Sequence, residues 1–152
     1  MLKTPSELIK AQIANHIKNG VDISNLLKDL DISNLDLSNS IIRTINRCHE
    51  SMKNVNFSRA TIGYEGANNF LIGCNLSGSN FKFCRVIGKL SIKRAIARNC
   101  NFADAYMPEI EYQHADFTGS TLCGIVWVMG SLKGHGAKIP KSQIEKWGVI
   151  QV

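Results

Sequence analysis

The sequence predicts a repeat solenoid, a stack of short coils with a helical segment at each end. Three observations carry this. Large apolar residues recur every five positions from about residue 30 to 129, a period that fits neither the 3.6 of a helix nor the 2 of a simple strand. The residue two places before each of them is commonly small or apolar, so large and small side chains alternate at fixed phase. Before Val21 and beyond Gly130 the period is absent, and what stands there has helical character. The chain has 152 residues, enough for one domain with a sizeable core and no disulfide staples. With 44% apolar residues, 20% charged residues and 3 prolines, composition excludes a disordered or Pro-rich linker chain.

The first element follows from Thr4-Pro5-Ser6-Glu7, which supplies a capping residue, a proline for the first helical position and a Glu three residues after the cap. Leu8, Ile9, Ile13 and Ile17 recur at helical spacing, and Gly20 offers the left-handed residue that ends a helix. The spacing predicts a helix over about 5–19, so that residues 1–20 cap the solenoid.

The repeats come next. In fives from Leu30 the chain reads LDISN, LDLSN, SIIRT, INRCH, ESMKN, VNFSR and ATIGY. After an irregular stretch come CNLSG, SNFKF and CRVIG, then a one-residue insertion at Lys89, then LSIKR, AIARN, CNFAD, AYMPE, IEYQH, ADFTG, STLCG and IVWVM. The third place holds Ile32, Leu37, Met52, Phe57, Ile62, Leu76, Phe81, Phe102, Phe117 and Trp127 among others. The first place favours small residues such as Ala60, Cys74, Ser79, Cys84, Cys100 and Ala115, and the second favours Asp or Asn. Large beside small lets stacked coils interdigitate at crystal-like density, and Asn or Asp can bond nearby backbone where the chain turns every five residues.

This pattern resembles the pentapeptide-repeat family, whose unit is A(D/N)LXX, over about two thirds of the chain. The resemblance implies an all-β fold, a right-handed quadrilateral parallel β-helix with one pentapeptide per side, third-place residues inward and first-place residues at the corners. It sets the domain organisation as an N-terminal capping α-helix over 1–20, the β-helix over 21–129, and a C-terminal cap or dimerisation segment over 130–152. Three places break the rule: Arg47 falls at an inward position, Ala67 is too small for one, and 65–73 loses or gains a step. An unpaired buried Arg47 would cost several kcal/mol, which predicts a bulge or loop there. Loops are also expected at 65–73 and at Lys89, and loops often carry recognition. Beyond Gly130 the period stops. Gly130, Gly134 and Gly136 suggest a flexible connection, Pro140 to Trp147 a short helical cap, and Val149 to Val152 an apolar tail suited to a homodimer contact.

Chemistry-bearing motifs are scarce. Cys74, Cys84 and Cys100 occupy first places, where packing wants a small side chain; Cys48 and Cys123 fall at outward fourth places. Five unpaired-looking cysteines suit a reducing, cytoplasmic setting. His49 with Glu50, and His114 with Asp116, are neighbours of the kind a solvated surface supplies. No phosphate loop, dinucleotide fingerprint, nucleophile elbow or metal motif is present, which predicts no cofactor, no metal and no enzymatic activity. The longest apolar run, Ile125 to Met129, is far short of the ~20 residues a membrane helix needs, and the first residues are too polar for a signal peptide.

Charge offers the one functional lead. The net charge is +6, and between Glu65 and Asp104 there is no acid while Lys82, Arg85, Lys89, Lys93, Arg94 and Arg98 all fall there. Three functions follow. The first is a non-enzymatic protein-binding or scaffold module presenting a rigid β-helical surface. The second is binding of nucleic acid or an anionic surface through the basic segment 82–98. The third comes from the resemblance: some family members protect DNA gyrase by mimicking duplex DNA, which needs an acidic surface that a +6 chain lacks. Counting four repeats per coil makes Lys53, Arg59, Lys93, Arg94 and Arg98 the candidate recognition residues of a basic edge, unless Glu109 and Glu111 neutralise it.

Overall fold

The structure, a computed structural model, describes residues 2–127 and 134–142. It is a parallel β-solenoid. Helix α1 (Glu7–Lys18) and the single turn α2 (Ser24–Leu27) precede the strands β1 (Ile41–Ile42), β2 (Asn46–Cys48), β3 (Thr61–Ile72), β4 (Arg85–Ser91) and β5 (Ile110–Glu111). β1, β3, β4 and β5 stack in that order with β2 also on β3, all parallel.

Single-residue bridges continue the stacking between the strands. Asp36, Asn56, Asn80, Asn101 and Thr121 stand one above another. A step of 20 residues, as from Asp36 to Asn56, is four pentapeptides, hence a four-sided coil. The step from Asn56 to Asn80 is longer because it contains 65–73, and that from Asn80 to Asn101 by one residue because it contains Lys89. A second side stacks Ser51, Asn75, Ile96, Asp116 and Lys138, and a third stacks Asp22, Ile41, Thr61, Arg85, Tyr106 and Val126. The fourth stacks Asn46, Phe70, Ser91 and Glu111.

The local chemistry explains why the chain turns every five residues. Second-place Asp or Asn accepts the amide two residues on, as Asp36 does from Ser38 (3.0 Å), Asn80 from Lys82 (2.9 Å) and Asn101 from Ala103 (2.9 Å). The next first-place amide then donates back to the third-place carbonyl, as Ala60 does to Phe57 and Cys84 to Phe81. The fifth residue between them takes the left-handed conformation: Asn34, Asn39, Asn54 and Asn99 have φ between 55° and 66°. Asn tolerates this better than bulkier residues, and it recurs at the place.

Third-place residues fill the prism. Phe57, Phe81, Phe102 and Phe117 are 0–1% exposed. Phe57, Phe81 and Phe102 stack at 5.0 and 4.8 Å, Phe102 meets Phe117 edge-on at 5.5 Å, and Phe117 meets Trp127 at 5.2 Å. Burial of each such ring stabilises by roughly 2–3 kcal/mol, with a further increment from the ring pairing.

Several expectations need correction. The helix begins at Glu7 with Ser6 as its N-cap, so Thr4 and Pro5 lie outside it. Only Ile13 of its apolar residues is buried; Ile9 and Ile17 pack against the core in part, and Leu8 is 70% exposed. Lys3 pairs with Leu30, so an extended segment, as well as a helix, covers that end. Within the 21–129 region, Val21-Asp22-Ile23-Ser24-Asn25 has the repeat pattern, with Ile23 fully buried and Asp22 accepting the Ser24 amide.

Arg47 is buried rather than carried on a loop. Its guanidinium donates to the Leu30 carbonyl (2.7 Å), the Leu27 carbonyl and the Glu50 carboxylate (2.9 Å), so the inward charge is paired and hydrogen-bonded. It pairs in register with Leu71 on its side, where the Leu30 carbonyl accepts from Arg47 and the Leu27 carbonyl accepts from both Arg47 and the Leu30 amide. The stretch 65–73 is mostly strand within β3; the register slips between Gly63 and Asn68, where Tyr64, Glu65 and Gly66 are exposed in succession. Lys89 sits inside β4. Gly88 permits the bulge, because a Cβ there would lie 2.6 Å from the Tyr64 carbonyl oxygen and 2.8 Å from that of Ala67.

Parallel pairing also continues beyond 130. The Lys138 amide donates to the Ala115 carbonyl, Phe117 donates to that of Lys138, and Ala137 and Ile139 pack on the core. The C-terminal helical cap, the apolar tail and the expected homodimer contact fall largely outside the described residues.

Candidate functional site

The five sequence-predicted residues do not form one edge. Each pentapeptide ends in a corner, and inter-coil amide bonds align the corners. Lys93 and Arg94 lie on the corner where Gly73 donates to the Lys93 carbonyl and Arg94 to that of Gln113. Lys53 and Arg98 share the next corner, where Asn54 donates to Ser77 and Gly78 to Arg98. They line one shallow hollow with Asn75 and Ile96. Arg59 stands one corner further on, where its amide donates to the Lys82 carbonyl.

Acids neutralise much of the expected edge. Glu111 pairs with Lys93 at 3.1 Å and Lys89 at 3.5 Å, and Asp116 accepts from Arg98 at 2.7 Å. Burial works against ionisation of Asp116, but bonds from the Thr118 hydroxyl and amide and from Arg98 outweigh it and hold the carboxyl down to about 2. Glu111 is likewise lowered, burial being outweighed by Lys93 and Lys89. Lys93 and Arg98 are therefore engaged within the fold, and the neutralising acids are Glu111 and Asp116, with no ion pair from Glu109 among the described residues.

A different side gathers four cations that form no ion pair among the described residues. On the side carrying Thr61 and Arg85, the Arg43 guanidinium lies 4.6 Å from the Tyr64 ring centroid and Arg85 lies 5.9 Å from that of Tyr106. At its margin Arg59 lies 4.6 Å and the Lys82 ammonium 5.3 Å from the Phe83 centroid. All three rings are large exposed apolar groups, at 39–46%. Among the described residues, Arg43, Arg59, Lys82 and Arg85 form no ion pair with a carboxylate.

Sequence reasoning singles out Arg59 from this side and misses the assembly. Lys82, Arg85, Tyr64 and Phe83 are visible in the sequence as charges or as fifth-place aromatics. What places them together is the lengthened coil, which sets Arg59 under Phe83 and Arg85 under Tyr106. A uniform four-repeat step misaligns them.

Cysteine chemistry is muted: burial pushes the Cys84 thiol up to about 12 and, against opposing hydrogen bonds, that of Cys100 to about 11. Cys48 is exposed. Among the described residues no cluster of three His, Cys, Asp or Glu is placed to hold a metal ion, and no helix is long and apolar enough to cross a membrane.

No protein-family model matches the chain, and no curated protein does. Among solved structures, it is similar to a trypsin-treated variant of QnrB1, a plasmid-mediated fluoroquinolone resistance protein, at 12% identity and a TM-score of 0.20 over 77% of this chain and 86% of that one.

Proposed function

We propose that the chain is a pentapeptide-repeat binding module, without enzymatic activity, that presents one side of a rigid solenoid to another protein in the cytoplasm. The observation that carries this reading is the exposed side on which Arg43, Arg59, Lys82 and Arg85 lie against Tyr64, Phe83 and Tyr106 with no acid paired to them among the described residues. Exposed aromatic and Arg side chains are the commonest energetic anchors of protein interfaces. Among the described residues the inward side chains fill the coils, as the burial of Phe57, Phe81 and Phe102 illustrates. Five cysteines without a disulfide agree with a reducing compartment.

Affinity capture on the immobilised full chain, from nuclease-treated lysate of the source cell, tests the reading. A protein retained at near-stoichiometric yield supports it. Retention of nucleic acid in an untreated lysate, with no protein retained after treatment, would overturn it.

A further inference from the structure

We infer that the side bearing Arg43, Arg59, Lys82 and Arg85 docks an acidic protein segment, its carboxylates held by guanidinium groups that the exposed rings fix in place. This rests on the protein-binding reading and adds the site and the chemistry of the partner.

Charge is the first argument. Lys89, Lys93 and Arg98 are paired to Glu111 and Asp116, whereas this side keeps its cations free of ion pairs among the described residues. Among the described residues, the acids placed around it make no ion pair with its cations. Asp22 lies near enough for Arg43 to lower its pKa, but its carboxylate is tied to the amides of Ser24 and Arg43 and to the Ser24 hydroxyl. Glu65, Asp104 and Glu109 are exposed and, among the described residues, in no ion pair.

Geometry supplies the second. A guanidinium stacked on a ring keeps its N–H donors in plane and free, and it loses less rotamer freedom when a carboxylate arrives. Arg43 lies over Tyr64 and Arg59 over Phe83, each with its Cζ 4.6 Å from the ring centroid. A carboxylate can then be held bidentately.

The same stacking argues for carboxylates over nucleic acid. Single-stranded nucleic acid draws much of its affinity from bases laid on open ring faces. Here cations already lie over the Tyr64, Phe83 and Tyr106 rings, and a base would compete with them.

Backbone conformation gives a further, independent reason. Arg59 and Phe83 have φ of 58° and 57° at a place that Asn and Gly often fill, though His49, Arg94 and His114 also take this conformation. Bulky residues there destabilise the turn, and residues that cost stability are often kept for function.

The test uses the full chain with two fluorescein-labelled probes of equal charge, an oligoglutamate peptide and an oligothymidylate, in anisotropy titrations at fixed salt. The peptide should bind the more tightly of the two. Arg43→Glu with Arg85→Glu should weaken the peptide roughly tenfold or more, while the control pair Lys93→Glu with Arg98→Glu, of the same net charge, should change it about twofold at most. Phe83→Asn gives a second variant that keeps the turn, and it should also weaken the peptide. Circular dichroism and melting establish that each variant is folded. Equal or tighter binding of the oligothymidylate, no peptide binding, or equal losses in both charge pairs would each overturn the inference. Should a captured cellular protein remain bound to the Arg43→Glu, Arg85→Glu variant, this site fails while the protein-binding reading stands.

Discussion

The Arg59 guanidinium lies 4.6 Å from the centroid of Phe83, and the two residues occupy successive coils of one corner with φ of 58° and 57°. Two opposing contributions meet in this pair. The left-handed turn destabilises each residue by about 1–2 kcal/mol relative to Gly, while the cation and ring attract by about 0.5–1 kcal/mol at an exposed site.

The turn effect therefore outweighs the contact. Phe83→Asn should leave the melting temperature unchanged or raise it, and Arg59→Asn should do the same. Both changes remove the pair, so neither gain would be available if the corner served stability alone. A clear drop in the melting temperature of both variants would show that the contact dominates.

The core gives the opposite expectation. Phe81 is sandwiched between Phe57 at 5.0 Å and Phe102 at 4.8 Å, with 1% of its surface exposed. Phe81→Ala should cost about 3–5 kcal/mol, from lost burial and from a cavity the neighbouring coils cannot close. Urea unfolding of the variant measures this directly. A cost below ~0.5 kcal/mol would be incompatible with the stacked register.

These two sites mark what the sequence makes legible. Phe57, Phe81 and Phe102 are readable because the five-residue period alone sends the third place inward, whatever the coil length. The second-place Asn and Asp turns are readable because their bonds reach only two residues along the chain. Contacts between coils are different, since Arg59 meets Phe83 only through a step lengthened by the bulge at 64–66. Arg47 escapes the pattern for a related reason: its partners, the Leu27 and Leu30 carbonyls, come from another coil that periodicity does not identify. The repeat Val21 to Asn25 is legible in the same terms, and a count that begins at Leu30 misses it.

Arg47 offers a sharp stability test. Its side chain is 7% exposed and satisfies two backbone carbonyls and Glu50. Arg47→Ala should cost about 3–5 kcal/mol, since it opens a cavity and strands those groups. Arg47→Met refills the volume and should recover part of the loss while the Leu30 carbonyl stays unpaired. Equal stability of wild type and the Ala variant in chemical denaturation would mean that this end of the solenoid is loosely held.

Acid titration isolates the Asp116–Arg98 pair. Within the fold the Asp116 carboxyl titrates at about 2, below its ordinary value of 3.8, so the unfolded chain takes up the proton first as pH falls. The stabilisation is thus complete above about pH 4 and is lost progressively between about 4 and 2. Asp116 is 9% exposed but Arg98 is 56% exposed at its side chain, so solvent screening reduces the contribution to on the order of 1–2 kcal/mol. Asp116→Asn keeps an oxygen to accept from the Thr118 amide and hydroxyl, and it removes the charge together with the acceptor that Arg98 uses. The variant should be less stable than wild type at neutral pH by that amount, and the two should converge near pH 2. Because Asp22 and Glu111 are also lowered and are present in both proteins, the difference between the two curves reports Asp116 alone. Parallel curves over this range would mean that Arg98 is not engaged by Asp116, and would return Arg98 to the set of cations free to meet a partner.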